Sequence, residues 1–385
     1  MNRLQANAVL AHLISYYMFI IFIVCCIIYY SLFIAVGIDS HEPIRGFFYP
    51  ANIIDHYIYL ENYESLKNGN VNFVGINNIG IALVYYIYFN LLELMGFIII
   101  PEKLSLILNL FIFFLCFISF KRIVRKLNLD VTVTWLFIFN CSFWYFAQLI
   151  NKDVFTIFIF FKLIEYALYN NNKIGIFLIF LFSFFIRIQL PAIICVYLFF
   201  IYTKPTLKNL IIAYLAISIF NGYISRYQSL IIDESTLSDG LSAFIYQMNI
   251  NYGVGSLLFN PVRIAQSLYS VLISFDFTYE YGIDVSKLKN IPQVMIFIIL
   301  SPWIIRAYVR YNCFMKTKVK YVMAIVLAFF LVWLLNPTIN SRYVMLIIPF
   351  LTLIGLYSLK FGKYIKHENI DNKLSLSSKH NSTFL

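Results

Sequence analysis

Two charged residues that flank long apolar segments could do chemistry. Asp55 opens a polar stretch that follows the first apolar segment and ends at Gly69. A carboxylate in that position can take the proton of an acceptor hydroxyl while a new bond to its oxygen forms. Arg187 interrupts the apolar sequence FFIRIQLPAII. A guanidinium places two N–H donors on two oxygens of a phosphate, so Arg187 suits a phosphate-bearing substrate.

Each charged residue also has a structural explanation. Asp55 can be a solvated surface acid that caps a helix in its loop, and Arg187 can snorkel to the membrane interface. Asp153 directly precedes an apolar run, where it would act as the N-cap of a helix and interact favourably with the helix dipole. Arg342 and Tyr343 can anchor a helix at the interface. The local sequence leaves both interpretations open.

Composition indicates the kind of scaffold that holds these residues. Of the 385 residues, 61% are hydrophobic and 12% are charged, whereas soluble domains carry about 25% charged residues. The apolar runs are long and repeated, which predicts an all-α bundle of transmembrane helices. We expect one membrane domain over residues 1–365, with outer loops 39–74 and 226–292, and a disordered cytoplasmic tail over residues 366–385.

Composition and motifs also exclude several function classes. Basic residues beside helix ends explain the net charge of +11, so nucleic-acid binding is not expected. The sequence contains neither a P-loop nor a dinucleotide fingerprint, and no set of His or Cys residues has the spacing of a metal site. We therefore expect no cofactor, while the residues leave the use of a divalent metal open.

Apolar segments and basic clusters together predict the topology. The apolar segments run at about 13–37, 79–100, 104–120, 131–150, 154–169, 174–202, 210–225, 293–309, 321–336 and 343–359. The basic clusters are Lys121 to Lys126, Lys204 to Lys208, Arg306 to Lys320 and Lys360 to Lys366. A span needs ~20 residues, and the positive-inside rule places these clusters in the cytoplasm. Both termini are then cytoplasmic, and we expect about 10–11 spans.

Two segments do not fit this topology as simple spans. Segment 174–202 has cytoplasmic signals on both sides, so it must cross outwards and return. Its break, Arg187 to Pro191, is then expected near the outer surface. Segment 79–100 is expected to be re-entrant or to lie along the outer face, with interruptions at Glu93 and Gly96.

The predicted topology brings polar residues from several outer loops to one surface. They are Arg45, Asp55, His56, Lys152, Asp153, Arg187, Gln189, Arg342 and Tyr343. Charged groups near membrane spans are costly unless they are paired or functional. The larger outer loop adds Arg263, in a stretch at 262–275 that we expect to form either an interfacial amphipathic helix or a loop helix packed on the bundle.

Four short motifs carry a resemblance to a known family. They are Asp55 to Gly69, Lys152 with Asp153, Arg187 with Pro191, and Arg342 with Tyr343. Their layout over residues 10–360 resembles that of the O-antigen and exopolysaccharide repeat-unit polymerases, integral membrane glycosyltransferases similar to the GT-C class. The chain departs from the family pattern at its second acidic site, which has one aspartate and not a pair. This departure puts a metal-dependent mechanism in doubt.

The resemblance implies transfer of an oligosaccharide between two lipid-linked intermediates at the periplasmic face of the bacterial inner membrane. The donor would be a chain on undecaprenyl pyrophosphate, and the acceptor would be the terminal sugar of the next repeat unit. Asp55 would activate the acceptor hydroxyl, while Arg187 and Arg342 would neutralise the departing pyrophosphate. Asp153 would help to orient the substrates. Further substrate-binding residues would be Arg45, His56, Lys152, Gln189, Tyr343 and Arg263. A flippase and a chain-length regulator would be partners.

Two other functions remain open. A transferase that moves one sugar from a polyprenyl phosphate would use the same residues, and the length of the product separates it from a polymerase. A flippase or transporter, a non-enzyme, would need polar groups deep in several spans. The strong polar residues instead cluster at helix ends, apart from Glu93, Lys162 and Glu165.

Overall fold

The structure is a computed structural model that describes most of the chain. The described residues are 3–36, 50–70, 76–140, 142–169, 172–203, 206–228, 240–273, 278–279, 282–283, 291–333 and 341–363. Most of them are helical, and the described strands are two residues each, β1 (Thr278–Tyr279) and β2 (Gly282–Ile283), paired antiparallel. The predicted all-α fold is confirmed.

The helices follow one another along the chain as listed by their bounds. They are α1 (Arg3–Val36), α2 (Pro50–Lys67), α3 (Ile76–Leu94), α4 (Pro101–Lys126), a 3-10 helix (Val131–Thr134), α5 (Trp135–Phe139), α6 (Ser142–Phe146), α7 (Lys152–Leu168), α8 (Lys173–Ile186), α9 (Gln189–Tyr202), α10 (Leu207–Gln228), α11 (Gly240–Tyr252), α12 (Gly255–Ile273), α13 (Ile291–Val309), α14 (Tyr311–Phe314), α15 (Lys320–Trp333) and α16 (Ser341–Phe361).

Several helices are apolar enough to lie in a membrane. Four stretches of the described residues have the length and hydropathy of a membrane span: Leu13–Ser31, Pro101–Lys126, Ile291–Val309 and Tyr343–Phe361. Five shorter helical stretches are also apolar: Asn78–Leu94, Lys173–Ile186, Gln189–Tyr202, Leu207–Tyr223 and Lys320–Trp333. The chain is therefore a membrane protein with several transmembrane helices. The number of 10–11 spans stays a prediction.

Basic residues from distant parts of the chain meet at one end of the bundle. Lys360 Nζ, near the end of α16, donates to the carbonyl oxygen of Asn128, 2.8 Å away and just after α4. Arg306, near the end of α13, donates to the carbonyl oxygen of Gly362. We call this end, formed by residues 121–128, 306–310 and 360–363, the basic end. It unites three of the four basic clusters that the sequence predicts on one side.

The opposite end contains a recess, because several helices are short. Helix α7 has 17 residues, and α8, α9 and α15 have 14 each. At about 1.5 Å per residue they are roughly 21–26 Å long, shorter than a hydrocarbon layer of about 30 Å. Asn109, about two turns into α4, donates to the carbonyl oxygens of Ala147 and Leu149 at 3.0 and 2.8 Å. The first turns of α4 therefore extend beyond the recess.

The predicted break in segment 174–202 is confirmed. Helix α8 ends at Ile186, Arg187 adopts an extended conformation, and α9 begins at Gln189. Pro191 lies in the first turn of α9, where the missing N–H group leaves no helical hydrogen bond unmade. The amide of Leu190 donates to the carbonyl of Arg187 at 3.1 Å, which closes the tight turn. The two helices therefore meet at Arg187.

Segment 131–150 differs from the single apolar helix that its hydropathy suggests. A 3-10 helix leads into α5, the helical backbone ends at Asn140, and α6 follows from Ser142. The Ser142 hydroxyl donates to Gln293 Oε1 at 2.9 Å, so polar groups of this broken segment bond inside the bundle. Irregular backbone at membrane depth is tolerated where it is buried in protein. The segment still connects the basic end to the recess.

Helices α2 and α3 lie over the recess. Tyr63 packs on Phe89 with ring centroids 5.3 Å apart, and Lys67 Nζ lies 3.6 Å from Glu93 Oε2, so α2 and α3 run in the same direction. Helix α3 ends at Leu94 and is followed by a turn at Gly96 with φ 85°, where the sequence predicts an interruption. Whether segment 79–100 crosses the membrane stays a prediction.

Gly80 sets the distance between α3 and the end of α8. A Cβ atom on Gly80 would overlap the backbone of Phe185, which cannot move aside like a flexible side chain. We expect Gly80→Ala to lower the free energy of unfolding by about 1–3 kcal/mol, measured by SDS titration in mixed micelles. The control is Leu91→Ala on the exposed face of α3, with an expected change within about 0.5 kcal/mol. Equal stability of Gly80→Ala and wild type would contradict this close packing.

Glu165 joins α4 to α7 close to the basic end. Its Oε2 accepts hydrogen bonds from Ser119 Oγ at 2.6 Å and from Lys162 Nζ at 2.9 Å. Its Oε1 accepts a third from Arg122 Nη1. The Glu165 side chain is almost fully buried and is neutralised by two cations. These two internal charges, Lys162 and Glu165, therefore serve each other and stabilise the contact between helices.

Glu165→Gln is expected to lower the free energy of unfolding by about 1–3 kcal/mol, because the neutral amide satisfies its three donors less well. Thermal unfolding in detergent measures the effect. Glu61→Gln, on the exposed side of α2, serves as the matched control and should leave the midpoint unchanged. A Glu165→Gln midpoint equal to the control would show that the cluster adds no stability.

Candidate functional site

The centre of the recess is an ion pair between Asp153 and Arg187. Arg187 Nη2 donates to Asp153 Oδ1, and both side chains are buried. The side chain of Asn151 accepts the Asp153 amide at 2.7 Å and is the N-cap of α7. The expected N-cap role of Asp153 is therefore wrong, because Asn151 occupies that position. The Asp153 carboxylate is left for the cation.

Two aromatic rings complete the surroundings of Arg187. The guanidinium carbon lies 5.2 Å from the ring centroid of Trp333 and 5.3 Å from that of Tyr343, and the two rings are 4.6 Å apart. Such cation–π contacts contribute about 2 kcal/mol when they are desolvated. Arg187 is 2% exposed, so it does not snorkel to water. Its Nε donor has no hydrogen-bond partner among the described residues.

Lys152 lies beside this pair and reaches towards α2 and α3. Its Nζ donates to Asn78 Oδ1 at 2.9 Å and lies 5.6 Å from the ring centroid of Tyr59. Asp55 precedes Tyr59 by four residues, so both side chains project from the same face of α2. Asp55 is half-buried. The structure thus brings Asp55, Lys152, Asp153 and Arg187 to the same recess.

His56 ties α2 to the floor of the recess. Its Nδ1 accepts the amide of Ile150 at 3.1 Å, so in the neutral ring the proton is on Nε2. Nε2 faces Glu102 Oε1 at 3.6 Å, which is longer than a direct hydrogen bond. The His56 side chain is fully buried. This geometry makes it a group that positions Asp55, the preceding residue.

The remaining predicted residues have different placements. Gln189 is half-buried in the first turn of α9, beside the Arg187 break. Tyr343 contacts Arg187 as described above, and Arg342 precedes it at the start of α16. Arg45 lies outside the described residues, and so does the side chain of Arg342.

Arg263 belongs to a different group of helices. It is fully buried on α12, which packs on α10, α11 and α16. Helix α12 is therefore packed on the bundle, as one of the two expectations for residues 262–275 had it. Burial lowers the pKa of the Arg263 guanidinium to about 10, so the side chain stays cationic at neutral pH.

Two residues of this site were missed in the sequence. Trp333 ends an apolar run, and only its contact with Arg187 distinguishes it from an ordinary core residue. Glu102, which faces His56, follows Pro101 at the first turn of α4. An acid directly after a proline at the start of a span is a signal that could have identified it.

The recess combines a half-buried carboxylate, a lysine, and an arginine held by an aspartate and two rings. Carboxylates accept protons, and lysine and arginine side chains bind phosphate oxygens. Among the described residues, no group of three or more His, Cys, Asp or Glu side chains could hold a metal ion. The chain matches no protein-family model, no curated protein and no solved structure.

Proposed function

We propose that this protein is a membrane glycosyltransferase that joins lipid-linked saccharides, acting as a polymerase of O-antigen or exopolysaccharide repeat units. One observation carries the proposal: a half-buried acid, Asp55, shares a recess with the cations of Lys152 and Arg187, away from the basic end. An acid for the acceptor and cations for the leaving phosphate are the two groups that such a transfer needs.

The proposed reaction is a substitution at an anomeric carbon. The acceptor hydroxyl oxygen forms a bond to that carbon, and the bond from the carbon to the pyrophosphate oxygen breaks. Asp55 takes the hydroxyl proton, and the leaving pyrophosphate carries away the bonding electron pair. Lys152 and Arg187 offset the negative charge that develops on the pyrophosphate. The free Nε donor of Arg187, which is buried, supports this role because it can bind an oxygen without breaking the bond to Asp153.

The orientation of the protein is part of the proposal. Positive residues favour the cytoplasmic side, so the basic end would face the cytoplasm of a bacterial inner membrane. The recess would then open to the periplasm, where lipid-linked repeats become available after a flippase has moved them across. A chain-length regulator would be a second partner.

Purified protein in detergent or liposomes, supplied with undecaprenyl-pyrophosphate-linked repeat units, tests the proposal directly. We expect a ladder of products that grow by one repeat unit. Growth by one sugar from a polyprenyl monophosphate donor, with no ladder, would replace the polymerase with the single-sugar transferase. Movement of the lipid-linked repeat across liposomes without any new glycosidic bond would indicate a flippase. Both outcomes would overturn the polymerase proposal.

A further inference from the structure

A large apolar cavity lies between α12, α13, α15 and α16. Its volume is about 740 Å³, within the range of ligand-binding pockets. The lining includes Leu268, Phe297, Ile305, Phe330 and Leu351, and most of the other lining side chains are also apolar. A site with so few polar groups cannot bind a sugar or a phosphate by hydrogen bonds. It suits a hydrocarbon.

The cavity lies at membrane depth. Along α13 its lining extends from Phe297 to Val309, which is roughly 18 Å of helix. The whole of α13 has the length and hydropathy of a membrane span. Two lining residues at the edge, Ile305 and Val309, are 61% and 79% exposed. An apolar opening on the side of a spanning helix faces lipid chains, so the cavity is open to the hydrocarbon layer.

Helix α12 supports this placement by its inverted amphipathic pattern. Its polar stripe, Ser256, Asn260, Arg263 and Ser267, is buried inside the protein. Its apolar residues Ile264 and Leu268 line the cavity. A helix that borders water shows the opposite arrangement, with its polar face outside. The surroundings of this face of α12 are therefore apolar.

The cavity is continuous with the recess through two helices. Phe330 lines the cavity and lies one turn before Trp333 on α15. Leu351 lines it from α16, about 12 Å along that helix from Tyr343. Trp333 and Tyr343 are the rings that hold Arg187. A molecule with its phosphate beside Arg187 can therefore place an attached hydrocarbon chain in the cavity.

We propose that this cavity binds the isoprenoid chain of the polyprenyl carrier whose phosphate lies at the recess. The inference rests on the proposed function for the identity of the lipid. The cation in the recess requires an anionic head, and the adjoining apolar cavity requires a long hydrocarbon chain. A polyprenyl phosphate has both parts in one molecule. The cavity would contribute affinity for the carrier and would take no part in bond making.

Filling the cavity with a large side chain tests the inference. Ala265 and Ser301 line the cavity from α12 and α13, so Ala265→Trp and Ser301→Phe both reduce its volume. Ala216 is an exposed alanine on α10 outside the cavity lining, and Ala216→Trp is the matched control. Sugar-free undecaprenyl phosphate is the long-chain probe, and geranyl phosphate is the short-chain probe. Binding is measured by native mass spectrometry, and thermal midpoints check folding.

We expect both cavity variants to bind undecaprenyl phosphate about tenfold or more weakly than wild type, while Ala216→Trp binds it normally. Geranyl phosphate, which is too short to fill the cavity, should bind equally to all four proteins. Unchanged undecaprenyl phosphate binding in both folded cavity variants would overturn the inference. So would loss of a co-purified phospholipid from these variants with carrier binding intact, since the cavity would then hold a structural lipid.

The assay contains no sugar, so its result is independent of turnover. If wild type forms no glycosidic bond but binds undecaprenyl phosphate through the cavity, the glycosyltransferase proposal fails and the lipid site stands. If wild type polymerises repeats and the cavity variants bind the carrier normally, the function stands and the lipid site fails.

Discussion

Replacing Asp55 with asparagine is expected to lower the rate of polymer formation by about 10²–10⁴-fold, because the amide cannot take the proton of the acceptor hydroxyl. Asp55 is half-buried on the face of α2 that carries Tyr59, and Tyr59 lies over Lys152. Asparagine has nearly the same shape, so the contacts of α2 should be kept. The rate is measured as repeat units joined per minute by the purified variant.

Glu61→Gln is the matched control for this experiment, because it removes an exposed carboxylate from the same helix. It should retain the wild-type rate. Thermal midpoints of both variants should lie close to that of wild type, which separates a chemical effect from loss of folded protein. Full activity of Asp55→Asn would remove Asp55 from the mechanism and leave the reaction without its proposed base.

Arg187→Gln is expected to lower the free energy of unfolding by about 3–5 kcal/mol, the largest stability effect that we foresee for one side chain. The substitution leaves the Asp153 carboxylate buried without its cation, and it removes the guanidinium from the rings of Trp333 and Tyr343. SDS titration of the variant in mixed micelles measures the loss. Lys67→Gln, at an exposed ion pair with Glu93, should change stability by less than about 1 kcal/mol.

The double variant Asp153→Asn, Arg187→Gln separates stability from function. It leaves no charge in the pair, so it should recover a large part of the stability that Arg187→Gln loses. Polymer formation should nevertheless remain lost, because no guanidinium is present for the leaving pyrophosphate. A stable double variant with wild-type activity would reduce the pair to a structural role. A double variant as unstable as Arg187→Gln would contradict the unpaired-carboxylate explanation.

The pairing changes how the recess can treat a phosphate. The resemblance implied separate roles, with Arg187 for the pyrophosphate and Asp153 for orientation of the substrates. Since Asp153 neutralises Arg187, the pair as a whole adds no net charge. What remains for a phosphate is a directed donor, Arg187 Nε, and the nearby cation of Lys152. Asp153 then orients the guanidinium, which is the form that its predicted orienting role takes in this geometry.

The sequence alone determined the class of protein and most of the helices. Hydropathy acts over local stretches, so the apolar segments predicted α4, α13 and α16 with bounds close to those observed. The break at Arg187 also followed from local signals, since a charged residue and a nearby proline both disfavour an uninterrupted apolar helix. The basic clusters correctly indicated one common end of the bundle, because charge sorting depends on sequence position next to a span.

Only the tertiary structure decided which charged groups meet. The bond from Arg187 to Asp153 and the packing of Trp333 on the guanidinium join residues far apart in the chain. The bond from the Ile150 amide to His56 does the same for α2. Local patterns carry no information about such partners, which depend on how helices of unequal length pack. The N-cap of α7 differed for a related reason: either Asn151 or Asp153 could cap that helix, and the buried cation took Asp153.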